Sequence, residues 1–168
     1  MCYENLRTLF RPENVRVLFV GQSRPANGTF FYLGNSNLAN FTRQAFEAVL
    51  GKQFPNPLSF LFCFSKSGFF LEDLCPEPVN HLPNGEIHAQ HLENIPLLAE
   101  RLAEYQPRYL IVTPMAIGDV IAEAVNLSGI EPLDQRVLPF PAQGHQQEYV
   151  DQLTEFLNMI EIKSIFTC

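Results

Sequence analysis

The run Val15-Arg16-Val17-Leu18-Phe19-Val20, followed by Gly21, decides how the rest of the chain is interpreted. A short apolar run that is rich in β-branched residues and ends at glycine is typical of a buried strand. Comparable runs occur at Phe69–Leu74 and Tyr109–Thr113, and Val137-Leu138 begins a fourth. Because strands that are apolar on both faces occur in parallel sheets covered by helices, these runs predict a mainly parallel four-stranded sheet.

Helical patterns separate the predicted strands. Apolar residues recur at helical spacing from Leu38 to Gly51, and similar patterns cover residues 90–105, 116–127 and 146–159. Residues 58–66 form a brief apolar stretch that fits a helix or a strand equally well. The alternation of strands and helices predicts an α/β fold, a three-layer αβα sandwich, formed as a single domain by residues 1–168.

Composition limits the possible class of protein. The chain has 168 residues, 46% of them hydrophobic, which suits one domain with a sizeable core. No apolar run approaches the roughly 20 residues of a membrane span, and the N-terminus lacks the order of a signal peptide. We therefore expect a cytoplasmic monomer with no membrane partner. Its four cysteines are expected to be reduced thiols, with Cys63 in the core.

The charge is distributed unevenly along the chain. A net charge of −7 argues against a protein that coats nucleic acid indiscriminately. Residues 1–66, however, hold seven Lys and Arg against three acids, whereas the remainder holds four against fifteen. This asymmetry favours a polyanion-facing surface on an acidic body, unless it is an accident of chain order.

The loop after the first predicted strand, Gly21–Gly34, carries the most chemical information. It lacks both the lysine of a phosphate-binding P-loop and the GxGxxG spacing. A loop does not expose three consecutive aromatic residues, here Phe30, Phe31 and Tyr32, unless they have a function. Planar side chains beside turn residues suit a flat heterocycle. The alternative is that these rings fill the core beneath the edge of the sheet.

Two further loops reach the same predicted edge. Asp73 ends the second strand, where it can contact a ligand or cap a turn. His81, His88 and His91 follow, a set that suits a zinc site or solvent-facing histidines; we expect no metal. In the last loop, Pro139–Gln146, backbone N–H groups can hold an anion, and His145 can act as a general acid or simply be exposed.

These loops together resemble the uracil-DNA glycosylase superfamily, in a divergent and uncharacterised branch. The resemblance spans roughly residues 15–160. It is carried by Gly21-Gln22-Ser23-Arg24-Pro25, Phe30-Phe31-Tyr32, Asn35-Ser36-Asn37-Leu38 and Pro139-Phe140-Pro141-Ala142-Gln143-Gly144.

The resemblance implies base excision from DNA, by hydrolysis of the N-glycosidic bond of a damaged or deaminated base, without a cofactor. It implies catalytic roles for Gln22, Ser23 and Asp73. Base-binding roles follow for Gly21, Phe30, Phe31, Tyr32, Asp73 and Phe140. Base flipping also needs a wedge and phosphate clamps. The candidates for the wedge are Gln143 and His145, and those for clamps are Arg24, Arg43, Lys52 and Lys66.

Departures from the family pattern keep other functions open. Ser23 or Arg24 stands where well-known members place a water-activating Asp, Asp73 where they place Asn, and Phe140 where they place His. Cys75 matches a cluster cysteine of the iron–sulfur class, but its N-terminal partners are absent, so no cluster is expected. One alternative is a glycosylase-like module that binds a base, nucleotide or single strand without turnover. Another is a protein that handles free nucleosides or nucleotides.

The identity of the residue at position 73 also leads to a hypothesis about the base. An amide both donates and accepts hydrogen bonds, which matches uracil O4 and N3–H, whereas an ionised Asp73 only accepts them. Asp73 therefore suits an exocyclic amine, as in cytosine or adenine, better than it suits plain uracil.

Overall fold

The computed structural model describes residues 3–168. Within that range, one sheet contains strands β1 Val17–Gly21, β2 Phe69–Asp73, β3 Tyr109–Val112 and β4 Asp134–Val137. The strands lie in the order β2-β1-β3-β4, and every neighbouring pair is parallel. All five residues of β1 are buried. The predicted α/β fold with a parallel four-stranded sheet is confirmed.

Helices cover both faces of this sheet. In chain order they are α1 Tyr3–Leu9, α2 Asn37–Leu50, α3 Pro57–Lys66, α4 Asn84–Tyr105, α5 Gly118–Ser128, α6 Gln146–Met159 and α7 Ile162–Ile165. α2 packs against α3 and α6, whereas α4 packs against α5, in agreement with a three-layer sandwich. Among residues 3–168, no helix is long and apolar enough to cross a membrane.

Local signals explain where most elements begin and end. Ser36 caps α2 by accepting a hydrogen bond from the Ala39 N–H, and Gly51 ends that helix with a φ of 66°. The undecided stretch 58–66 belongs to α3, which Asn56 caps and which starts at Pro57, a residue suited to the first helical position.

Four elements differ from the sequence expectation. β4 is Asp134–Val137 rather than a run beginning at Val137, because an edge strand can be polar and only partly buried. α4 starts at Asn84, well before residue 90. The short helices α1 and α7 were not expected, since neither is long enough for its periodicity to be recognised.

The cysteine expectation was wrong for one pair. Cys63 and Cys168 form a disulfide between residues 105 positions apart, with their Cα atoms separated by 5.2 Å. No close spacing signals such a pair, because the C-terminal segment reaches α3 only in the folded chain. Cys63 is buried in the core, as expected. Cys75 is free, and burial raises the pKa of its thiol to about 11, while Cys2 lies outside the described residues.

Candidate functional site

A cleft of about 910 Å³ opens at the carboxyl ends of the strands. The loops after all four strands line it, as expected where parallel strands end together. The first loop contributes six of the predicted site residues, namely Gly21, Gln22, Ser23, Arg24, Phe30 and Phe31. The second and last loops contribute four more, namely Asp73, Phe140, Gln143 and His145. The predicted residues thus meet in one place, with four exceptions described below.

Asp73 forms part of the cleft lining from the end of β2. Its Oδ2 accepts a hydrogen bond of 2.6 Å from Arg7 Nη2, whereas Oδ1 has no hydrogen-bond donor among residues 3–168. Burial raises the pKa of the Asp73 carboxyl above its ordinary value, and the Arg7 guanidinium offsets only part of that rise. The carboxyl group therefore has one oxygen held by the protein and one left for a ligand.

Gly21 makes room for this carboxyl group. Gly21 and Asp73 are paired in the register of β1 and β2, and a Cβ at position 21 would lie 2.5 Å from Asp73 Oδ1. Any side chain at position 21 would occupy the place of the carboxylate oxygen. The glycine predicted to bind a base therefore acts by leaving space for Asp73.

Arg7 is a site residue that the sequence analysis missed. It lies on α1, is 3% exposed, and pairs with both Glu72 and Asp73. Arg101 of α4 also approaches Glu72, and Tyr105 donates a hydrogen bond to Glu72. Only the basic character of residues 1–66 pointed toward Arg7, and nothing local indicated its partner in β2.

Gln22 and Ser23 are held by residues behind the cleft. Gln22 Nε2 lies 3.0 Å from Nε2 of the buried His91, and Ser23 Oγ accepts a hydrogen bond from the Val79 N–H. The link from Gln22 to His91 was also missed. Its signal is the position of His91 in helical register with Ile95 and other buried residues of α4, which places it on the covered face.

The aromatic triplet is buried instead of exposed. Phe30 and Phe31 line the cleft but are only 1% and 3% exposed, which agrees with the alternative that these rings fill the core beneath the edge of the sheet. Tyr32 does not line the cleft, which corrects its predicted stacking role. Phe140 is 36% exposed and provides the more accessible aromatic surface there.

Tyr32 instead closes the free edge of β2. Its hydroxyl donates a hydrogen bond to the Leu71 carbonyl at 2.9 Å and accepts one from the Leu71 N–H at 2.7 Å. Since β2 is an edge strand, these backbone groups have no neighbouring strand to pair with. The alternative interpretation, in which an aromatic ring fills the core, holds for this residue.

We expect Tyr32→Phe to lower the free energy of unfolding by about 1–3 kcal/mol, because it leaves two buried backbone groups of Leu71 unpaired. Urea unfolding measures the change. Tyr109→Phe is the matched control, since Tyr109 is only partly buried and its ring, which packs against Phe156, is retained, so the change should cost less than about 0.5 kcal/mol. Equal losses in the two variants would contradict the role of the Tyr32 hydroxyl.

The four predicted phosphate clamps do not lie together, and only one of them lines the cleft. Arg24 lines the cleft, lies 4.4 Å from the Tyr3 ring centroid and is 3.3 Å from Glu77. Arg43 is not in the cleft lining and approaches Glu47 on α2, so the fold does not bring it to the site. Lys52 packs over Phe54, and Lys66 lines a cavity at the opposite edge of the sheet.

The rim of the cleft carries the candidate wedge residues. Gln143 adopts a φ of 53° in the last loop, and His145 lies just before α6, with Nδ1 2.9 Å from Glu148. Both side chains are exposed. Arg7 and Arg24, two basic residues of the N-terminal segment, are paired with carboxylates. The uneven distribution of charge along the chain therefore does not produce a continuous, unpaired basic surface at the cleft.

The zinc alternative has no supporting geometry. In the described part of the chain, no group of three or more His, Cys, Asp and Glu side chains could hold a metal ion. His91 contacts Gln22, so one of the candidate ligands already has another partner.

Comparison with known proteins does not assign a family. No protein-family model matches this chain, and no curated protein matches it either.

Proposed function

We propose that the cleft binds a nucleobase and that the chain hydrolyses the N-glycosidic bond of a damaged or deaminated base in DNA. The observation that supports this proposal is the convergence of Asp73, Gln22 and Phe140 on one cleft at the carboxyl edge of the sheet. A carboxylate, an amide and a half-exposed ring are the groups needed to bind the edge and the face of a flat heterocycle.

The chemistry required of these residues is modest. A dissociative cleavage needs stabilisation of an oxocarbenium ion and of the departing base, which positioning and fixed charges can supply. Asp73 Oδ1 would accept a hydrogen bond from the base, and the negative charge of the carboxylate favours the cationic sugar. Arg24 stands at the cleft as a cation that favours negative charge on the leaving base.

A second function, base binding without turnover, is favoured by a specific observation. Among the described residues that line the cleft, Asp73 is the one carboxylate, and Arg7 already engages its Oδ2. The Ser23 hydroxyl accepts a hydrogen bond from Val79. If Asp73 Oδ1 binds the base, neither Asp73 nor Ser23 is left to activate a water molecule.

A panel of labelled oligonucleotides tests the two functions. Each strand carries one uracil, hypoxanthine, xanthine or alkylated base and is treated with alkali after incubation with the protein. We expect the wild type to break at least one strand. Asp73→Asn is expected to cleave that strand about 10- to 100-fold more slowly, because one charged hydrogen bond is lost. Asp134→Asn, on β4 and outside the cleft, is the control and should match the wild type.

The outcomes separate the proposals. Salt-dependent binding without strand breaks would support the binding function, because phosphate contacts release counterions. The absence of both breaks and binding would refute both functions. Comparable cleavage of uracil strands by wild type and Asp73→Asn would remove the hypothesis that Asp73 disfavours uracil.

A further inference from the structure

His91 lies directly behind the cleft, on the buried face of α4. Its Nε2 is 3.0 Å from Gln22 Nε2, and its side chain is 7% exposed. Gln22 lines the cleft, whereas His91 does not. A residue placed in this way does not meet a ligand and acts on it only through the side chain that it holds.

The contact determines which atom of Gln22 is left for the cleft. A carboxamide has a donor NH₂ group on one side and an acceptor oxygen on the other. Because the nitrogen faces His91, Oε1 is the remaining atom, and within residues 3–168 no donor contacts it. His91 Nε2 must then be the acceptor, which requires a neutral imidazole with its proton on Nδ1.

The surroundings of His91 favour this neutral form. Burial lowers the pKa of the imidazole, and His88 on the same helix lowers it further. Gln22, which faces His91 from the loop after β1, is uncharged, and no carboxylate or guanidinium in the described chain contributes to the shift. Once protonated, His91 donates from both ring nitrogens, so Gln22 has to turn its oxygen toward His91 and its NH₂ group toward the cleft.

We propose that His91 is a positioning residue that holds the Gln22 carboxamide with its carbonyl oxygen toward the cleft. Asp73 lines the same cleft from the end of β2, so the two side chains give the cleft two hydrogen-bond acceptors. Two acceptors in one cleft favour a heterocycle with two N–H donors. Guanine alkylated at N7, which keeps its N1–H and 2-amino group, belongs to that class. The ligand class rests on the proposed function, whereas the positioning role does not.

Side-chain NMR tests the positioning role without any ligand. The Gln22 amide and the His91 ring nitrogens are followed in ¹⁵N-labelled protein from pH 8 to pH 5. We expect the Gln22 signals to move with the same midpoint as His91, below the ordinary value of about 6.5. The amide of Gln106, which donates to Ala103 at the end of α4, is the control and should not follow that midpoint. Gln22 signals that stay constant while His91 titrates would overturn the proposal.

A variant and a pair of nucleosides complete the test. In His91→Leu the pH response of Gln22 should disappear, and its persistence would contradict the role of His91. 2′-Deoxyguanosine and 2′-deoxyinosine differ only in the 2-amino group. At pH 8 we expect the wild type to bind deoxyguanosine about tenfold more tightly, and His91→Leu to reduce that ratio to about two- to threefold.

The positioning role of His91 and the ligand class can be refuted independently of each other. Equal affinities of the wild type for the two nucleosides would overturn the ligand class. If neither nucleoside binds while Gln22 follows His91, nucleobase recognition is refuted and the positioning role stands.

Discussion

Replacement of Arg7 by methionine is expected to lower the free energy of unfolding by about 3–5 kcal/mol. The guanidinium is buried and donates from Nη1 to Glu72 and from Nη2 to Asp73. Arg7→Met leaves both carboxylates buried without that cation, and an uncompensated buried charge is costly. Urea unfolding at pH 7 measures the loss.

The loss is expected to shrink as the pH falls. Burial already raises the folded-state pKa of Asp73, and removal of Arg7 raises it further. A carboxyl group with a raised pKa destabilises the fold above that pKa, where it is ionised, and protonation removes the penalty below it.

Arg136→Met is the matched control for this prediction. Arg136 pairs with Asp134 near the surface on β4, and such a pair contributes at most about 1 kcal/mol. Equal losses in the two arginine variants, or an Arg7→Met loss that does not change with pH, would contradict the role assigned to Arg7.

The second large effect is expected at Gly21, where alanine would place its Cβ 2.5 Å from Asp73 Oδ1. The carboxyl group would have to move away from its position at the cleft, because the register of β1 and β2 prevents the two residues from separating. We expect Gly21→Ala to weaken binding or cleavage of the favoured oligonucleotide at least about 100-fold. The accompanying stability cost is expected to be about 1–3 kcal/mol.

Gly85→Ala controls for the loss of a glycine as such. Gly85 lies in the first turn of α4, and a Cβ there meets nothing within 4 Å. Alanine should therefore be neutral or slightly stabilising at that position. The ¹³C shift of the Asp73 carboxyl reports its displacement directly. A Gly21→Ala protein with the wild-type shift and wild-type affinity would refute the role of Gly21.

Much of the fold could be predicted from local patterns. The first three strands and the helices beginning near Leu38 and Gln146 carry strong apolar periodicity, and the structure contains them close to the expected bounds. β4 was located poorly because Asp134, Gln135 and Arg136 are polar, as an edge strand allows. α1 was missed because seven residues are too few for a recognisable period.

The location of the cleft could be predicted as well, but the solvent exposure of its residues could not. The rule that parallel strands end at one edge brought Gln22, Asp73 and Phe140 together. Whether a ring is exposed depends on what covers it, and Phe30 is covered by Tyr3 of α1 and by Tyr32. No pattern within the loop contains that information.

The sequence by itself determined the order of strands and helices and the edge at which the informative loops meet, because both follow from local periodicity and the handedness of parallel connections. Only the tertiary structure decided what each residue does there. Arg7 holds Asp73 across 66 positions, His91 contacts Gln22 across 69, and Cys63 pairs with Cys168 across 105. Such contacts depend on packing between distant segments, and neither residue of a pair signals its partner in its own neighbourhood.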